Sequence, residues 1–209
     1  ALDTCFSILL RNNLSETEQQ EFRIRCRSAL DGLETLLQSL LEISKLETGL
    51  IQLDRKTLPI MDTIISAVNR TYPKAAEKGI ELIFDCNESL EHCALMQDKR
   101  WLGEAIINVL DNAIKYTQKG SRIQILTDKL ESNVRIRVTD DGPGIPDEAK
   151  PFVFDMCYTG ANRIADSRRS LGLGLCLCRS IIRAHGGEIS VSDNTPSGCI
   201  FTFTLPCEE

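Results

Sequence analysis

Asn108-Val109-Leu110-Asp111-Asn112-Ala113-Ile114-Lys115-Tyr116 is the stretch on which the fold of this chain turns. At helical spacing, Asn108, Asn112 and Lys115 fall on one face, at i, i+4 and i+7. Ile107, Leu110 and Ile114 supply an opposite, apolar face. One side is therefore fitted to a core. The other offers two amide oxygens and an ammonium next to each other. That set suits a hard divalent cation and phosphate oxygens, because magnesium takes oxygen ligands, keeps its waters and shares nucleotide phosphates. Taken alone the helix carries little, since Asn and Lys are common on solvated faces.

Two glycine-bearing segments follow it. Asp140-Asp141-Gly142-Pro143-Gly144-Ile145-Pro146 comes directly after an apolar alternating run. Gly142 and Gly144 let the backbone approach a ligand closely. A carboxylate held at the strand end, Asp140, can accept a hydrogen bond from an exocyclic amine such as that of adenine. By itself the segment is an ordinary Asp-Gly turn. Ser170-Leu171-Gly172-Leu173-Gly174-Leu175 opens a helix predicted over 172–185. Free amides at a helix N-terminus carry a partial positive charge and bind phosphate. No GKS or GKT follows, so this is not a P-loop. Nor does it follow the first strand of a βαβ unit, as a Rossmann fingerprint would.

Outward from these segments, residues 1–12 read as the tail of a helix and 12–15 as a turn. Ser15 with Glu18 three residues on makes a capping box, and a long helix is predicted to about Lys45. Along it Cys26, Leu33 and Leu40 recur every seven residues, with Ala29, Leu36 and Ile43 between them and Leu30 and Leu37 beside them. A stripe this wide suits a four-helix bundle. One hairpin supplies two helices, so a homodimer is expected. The alternative is that the stripe packs on the neighbouring domain. Gly49 ends the helix. Beyond it, strands are predicted at 50–53, 80–85, 93–96, 122–127, 134–139, 188–192 and 199–205. Helices are predicted from Pro59 to about Lys78 and over 98–116. The polar, Arg-rich run 155–171 reads as a mobile lid. The second domain is thus mixed α/β with antiparallel character.

The chain has 209 residues and a net charge of −6. Its length allows one or two domains. An acidic chain is a poor non-specific nucleic-acid binder, so a polyanionic ligand would need a local cationic or amide-lined pocket. Of the nine cysteines the closest pair is Cys176 and Cys178. That spacing suits neither tetrahedral zinc nor a redox dithiol, so the cysteines are expected to be small buried hydrophobes of a reducing compartment. There is no signal peptide and no run of ~18 apolar residues. Ala1 to Leu10 reads as a helix already under way, which leads to the expectation of a longer parent with any membrane spans upstream.

In this order and spacing, the three segments resemble the N box and the two glycine boxes of the GHKL ATPases, whose nucleotide domain has the Bergerat fold. Val153-Phe154-Asp155-Met156-Cys157-Tyr158 is similar to the F box of histidine kinases. Ala184-His185-Gly186-Gly187 and Phe201-Thr202-Phe203-Thr204-Leu205-Pro206 resemble kinase patterns too. The helix ending Leu41-Glu42-Ile43-Ser44-Lys45-Leu46-Glu47-Thr48-Gly49 is similar to the second helix of the kinase dimerisation hairpin. The run from Phe154 through Leu175 looks closest to Kdp-type potassium-sensing kinases.

The resemblance implies an α+β fold: a truncated helical hairpin over 1–48, then an ATP-binding catalytic domain over 49–209. It implies ATP and Mg²⁺ as cofactors, with Asn112 on the metal and Asn108 and Lys115 as catalytic residues facing the phosphates. Tyr116 would cover the nucleotide. Asp140 would read the adenine amine beside Gly142, Gly144 and Ile145. Gly172, Leu173, Gly174 and Leu175 would bring helix amides to the phosphates. The implied activity is that of the cytoplasmic part of a membrane-anchored sensor histidine kinase: the γ-phosphoryl of ATP passes to a histidine, then to an aspartate of a response regulator. The implied partners are a second copy and a receiver domain, Kdp-type in kind, with no nucleic acid.

Departures stand beside the likeness. The His-Glu/Asp-x-x-Arg/Lys-Thr-Pro box is absent and would lie upstream of Ala1, so this chain is not expected to phosphorylate itself. His92 and His185 are expected to be structural or solvated. Cys157 stands where an aromatic is usual and Thr159 where many kinases place an arginine, for which Arg163, Arg168 or Arg169 could substitute. Ser170 replaces a glycine, and Cys199 a Thr or Ser. These changes bear on catalytic rate more than on ATP binding. The alternatives are a degenerate ATP-binding scaffold, or another GHKL enzyme such as a serine-directed protein kinase or ATPase chaperone.

Overall fold

A computed structural model describes residues 15–86, 93–130, 132–158 and 172–207. The expected helix tail at 1–12, His92, and the lid positions Thr159, Arg163, Arg168, Arg169, Ser170 and Leu171 lie outside the described residues.

Helix α1, Glu16–Glu47, starts where the capping box says it should. The Ser15 hydroxyl accepts from the Glu18 amide, and the Glu18 carboxylate accepts from the Ser15 amide at 2.9 Å. The helix stops at Thr48, and Gly49 follows at φ 70, a left-handed position that costs glycine nothing. Only Ile43 and Leu46 of α1 are buried. This end of α1 packs on the last helix of the chain, with Leu36 and Leu40 partly covered.

The remainder is a two-layer sandwich. Strands β2 (Glu81–Cys86), β4 (Arg122–Leu130), β5 (Asn133–Asp140), β7 (Cys199–Pro206) and β6 (Glu188–Asp193) form one sheet in the order β2-β4-β5-β7-β6. β2 joins β4 in parallel, and the other pairings are antiparallel. The alternation is strict: Val134, Ile136, Val138 and Asp140 of β5, with Cys199, Phe201, Phe203 and Leu205 of β7, all face inward. Against that face pack α2 (Ile60–Lys78), α3 (Lys99–Tyr116) and α4 (Gly174–Ala184). Leu102, Ile106, Leu110, Ile123, Ile136, Ile181 and Phe203 are fully buried, and each such side chain contributes roughly 1.5–3 kcal/mol by leaving water. A small antiparallel sheet pairs β1 (Lys56–Pro59) with β3 (Ala94–Gln97).

Three expectations need correction. Residues 50–53 are not a strand. Their alternation is real, since Ile51 and Leu53 pack on the core, but among the described residues they pair with no strand. Asp54 instead donates its amide to the Asp98 carboxylate at 3.0 Å, tying this connector to the start of α3. The helix expected from Gly172 begins at Gly174, because Gly172 is left-handed at φ 70. Of the described cysteines, Cys93, Cys176, Cys178, Cys199 and Cys207 are buried as expected, but Cys157 is exposed at φ 61. Among the described residues no helix is long and apolar enough to cross a membrane.

Candidate functional site

Helix α3 is the spine of the site. Asp98 caps it, its carboxylate accepting from the amides of Arg100 and Trp101 at 3.1 and 3.2 Å. Ile107, Leu110 and Ile114 are buried, as the apolar face requires. Asn108 and Asn112 are half-buried on the other side, and Lys115 and Tyr116 are exposed at its end. The Lys115 ammonium lies 4.8 Å from the Tyr116 ring centroid. Lys78 of α2 donates to the carbonyls of Ile114 and Lys115 at 2.6 and 2.7 Å, satisfying the negative end of α3.

The first glycine segment meets α3 at this end. Asp140 ends β5 and is buried. Its Oδ1 accepts from the amides of Gly142 at 2.8 Å and Cys199 at 3.4 Å. A methyl on Gly142 would stand 2.6 Å from that oxygen and 3.6 Å from the Tyr116 carbonyl, so only glycine fits. Both backbone bonds use Oδ1. Burial raises the Asp140 carboxyl above its ordinary range, the two amides pull it back, and neighbouring Asp141 raises it again. Ile145 packs on the core rim. The Cys199 thiol is pushed up to about 12 by burial and by Asp140, so it stays uncharged at neutral pH.

The second glycine segment meets α3 two turns earlier. A methyl on Gly174 would stand 2.9 Å from the Asn108 Oδ1. The Asn108 amide nitrogen donates to the Glu104 carbonyl at 3.0 Å, which fixes the side chain with its oxygen toward α4. Leu173 provides no side-chain cap, and the first bond inside α4 runs from the Leu177 amide to the Leu173 carbonyl. The amides of Gly174, Leu175 and Cys176 thus precede the helical ladder. Leu173 is buried and Leu175 partly so, which leaves their backbones as the groups able to meet a ligand. Gly172 is forced: a methyl there would stand 2.6 Å from the Tyr158 carbonyl. The end of the F-box segment and the start of the second glycine segment therefore touch.

The three segments expected to converge do so along one helix. Asn108 and Tyr116 are separated by about 12 Å of helix rise. Sequence reasoning missed the clasp behind Asp140. The Asn194 amide donates to the Asp140 carbonyl at 3.0 Å and to the Asp141 carboxylate at 3.4 Å. Gly198 passes so close that any Cβ would stand 1.8 Å from the same carbonyl. The Asn-Thr-Pro-Ser-Gly turn between two alternating strands was the available signal.

His185 is structural rather than solvated. It is buried, its Nε2 accepts from the Asp98 amide at 3.1 Å, and its Nδ1 therefore carries the proton given to the Ile181 carbonyl at 2.9 Å. Burial holds its pKa below the ordinary value. Among the described residues no cluster of three or more His, Cys, Asp or Glu could cage a metal ion.

Residues 97–209 match the family described as histidine kinase-, DNA gyrase B-, and HSP90-like ATPase. Sensor protein KdpD of Clostridium acetobutylicum is 31% identical over 206 residues, which is 97% of this chain and 22% of that protein. The histidine kinase ThkA, solved in complex with response regulator protein TrrA, superposes with a TM-score of 0.77 at 26% identity, covering 99% of this chain and 57% of that one. Full-length ShkA in complex with AMPPNP gives a TM-score of 0.77 at 24% identity, over 94% of this chain and 40% of that one, a likeness of fold. The chain thus spans about a fifth of the KdpD relative, at 22% of its length.

Proposed function

The chain belongs to the family of histidine kinase-, DNA gyrase B- and HSP90-like ATPases, and from that membership we propose that it holds Mg·ATP between α3, the Asp140 turn and the start of α4. The observation that carries this reading is that α3 is touched at both ends of its polar face. The Asp140 turn abuts Tyr116, where a methyl on Gly142 would reach van der Waals contact with the Tyr116 carbonyl at 3.6 Å, and the α4 N-terminus abuts Asn108, where a methyl on Gly174 would collide at 2.9 Å. The residues fit the ligand. A buried carboxylate with one oxygen fixed by backbone amides can accept from the adenine amine. Three helix amides outside the ladder face the other end, where phosphate belongs. Asn108, Asn112 and Lys115 lie on the same helix, and the Asn112 side chain makes no hydrogen bond to another described residue. A magnesium ion held there by Asn112 and phosphate oxygens would neutralise charge on the transferring group; an oxygen set this sparse is what magnesium uses at nucleotide sites.

In the parent protein we place a sensor histidine kinase around this domain, in the manner of KdpD and ThkA. Phosphoryl transfer needs positioning and charge neutralisation more than covalent chemistry. Lys115 and the α4 amides supply the second, and α3 and the Asp140 clasp supply the rigid frame for the first. The division into 1–48 and 49–209, with a hinge about Thr48 to Leu50, and a homodimer through the first unit belong to the same reading. It is supported by the exposed Leu30, Leu33, Leu37 and Leu41 on α1. A response regulator receiver domain, Kdp-type in kind, is the proposed phosphoryl acceptor, and a cytoplasmic position beside the membrane is the proposed setting.

Calorimetric titration with Mg·AMPPNP tests the site. Asp140→Ala and Asn112→Ala are each expected to weaken binding by roughly tenfold to a hundredfold, as loss of a charged or metal-linked hydrogen bond does. Binding by the unmodified chain should also weaken on acidification, beginning above the range in which an ordinary aspartate titrates, because the carboxyl must be ionised to accept. Equal affinity in all three proteins would overturn the assignment.

A further inference from the structure

The sandwich holds a second arrangement of chemically competent side chains, at the opposite end of β7 from the proposed nucleotide site. Cys93 immediately precedes β3 of the small sheet, and Cys207 immediately follows β7 of the large one. They are 114 positions apart in sequence, yet their Sγ atoms stand 3.5 Å from each other, and both residues are buried. Each backbone is pinned. The Cys93 carbonyl accepts from the Ile60 amide at 3.1 Å, and the Cys207 amide donates to the Ser132 carbonyl at 2.7 Å. The Cys207 thiol also points at the Ala94 carbonyl, 3.7 Å away. Two sulfurs held in van der Waals contact by fixed backbones need to close by only about 1.5 Å to reach the length of a disulfide.

We propose that Cys93 and Cys207 form an oxidative cross-link site, at which a peroxide converts two thiols into a disulfide joining the two sheets. The chemistry balances in two steps. One thiolate attacks a peroxide oxygen, giving a sulfenic acid and one water from hydrogen peroxide. The second thiolate then attacks the sulfenic sulfur and expels a second water, so that two thiols lose two electrons and one peroxide gains them. Burial and the adjacent Cys207 push the Cys93 thiol up to about 11. The pair therefore reacts slowly at neutral pH and faster as pH rises. The disulfide would close a loop of more than a hundred residues, where the constraint on the unfolded chain is largest. It would leave nucleotide binding alone: Cys199, at the other end of β7, contacts Asp140, and the strand between spans about 25 Å.

The whole chain is treated with hydrogen peroxide, blocked with N-ethylmaleimide, unfolded, and digested for mass spectrometry. Melting is followed with and without dithiothreitol. The expected results are a Cys93–Cys207 linked peptide and a melting temperature raised by roughly 10 °C that reverts on reduction. Affinity for Mg·AMPPNP should be unchanged. Cys207→Ser and Cys93→Ala should each show neither the peptide nor the rise. Recovery of both residues as alkylated thiols, after enough peroxide to consume the exposed Cys157, would overturn the proposal. So would linkage of either to Cys157 or Cys26, or a melting rise that persists in the variants.

Discussion

Helices α1 and α3 are both long and both amphipathic, but their apolar faces meet different fates. In α3, ten of 18 residues are buried between the sheet, α2 and α4. In α1, two of 32 are buried, both in its last turns. Leu30, Leu33, Leu37 and Leu41 of α1 stay about half exposed among the described residues, at 54, 46, 53 and 52%. Periodicity reports that a helix has an apolar side. It does not report what covers that side. For α3 the cover is this chain's own sheet. For α1 the described residues leave Leu30, Leu33, Leu37 and Leu41 about half exposed, and a second copy is the occupant proposed above.

The sharpest test of that contrast is Leu110→Ala. Leu110 is fully buried. Its truncation is expected to cost about 3 kcal/mol, as a transfer loss plus the cavity left behind, read from urea unfolding of the α/β unit. Next in size is Leu33→Ala on α1. It should leave that unfolding curve in place but weaken self-association by roughly tenfold to thirtyfold, the equivalent of one leucine leaving an interface core, measured by sedimentation equilibrium. If Leu33→Ala instead lowers unfolding stability as much as Leu110→Ala does, α1's stripe is covered within the chain and the contrast fails.

What could be read in advance follows the same divide between local and distant causes. The Ser15–Glu18 box and the alternation of β5 and β7 are written in neighbouring residues, and each appeared where expected. The strand expected at 50–53 shows the limit. Alternation at Ile51 and Leu53 came from packing on the core, and pairing needs a partner strand that no local pattern reveals. The start of α4 was displaced by two residues because Gly172 is left-handed, packed so closely on Tyr158, fourteen positions upstream, that a side chain there would clash. Asn194 and Gly198 escaped notice because their work is done on a carbonyl more than fifty residues away. Likewise the candidate site residues were legible as three motifs. That they all converge on α3 became visible only with the topology.

A smaller effect separates the two regions by pH. His185 joins the N-cap of α3 to the end of α4 while neutral. The unfolded chain takes up its proton near the ordinary value of 6.5, whereas burial holds the folded value lower. Its contribution to stability is therefore complete above pH 6.5 and is lost as pH falls from there toward the folded value, because the unfolded state then binds more protons. Asp140 acts in the opposite sense at lower pH: its folded carboxyl sits above the ordinary 3.8, so its protonation favours the fold. The α/β unit should therefore become less stable to unfolding as pH falls below neutrality. His185→Gln, less stable at pH 7, should lack that slope. Self-association through α1 carries no histidine among its described residues and should not follow it.

The smallest effect belongs to the far end of α1. Ser15→Ala removes the hydroxyl that accepts from the Glu18 amide and donates to the Glu18 carboxylate at 2.7 Å, and leaves the Ser15 backbone amide as that carboxylate's donor. For an exposed cap the expected loss is about 0.5–1 kcal/mol of local helix stability. Because Ile43 and Leu46, at the opposite end, are the buried residues of α1, the fraying this causes has no route to the α/β core. Amide exchange should quicken over the first turns of α1 while unfolding of the sandwich stays unchanged. Exchange that quickens in both would mean that α1 and the sandwich melt as one unit. The lesson drawn from the two helices would then apply to their packing but not to their cooperativity.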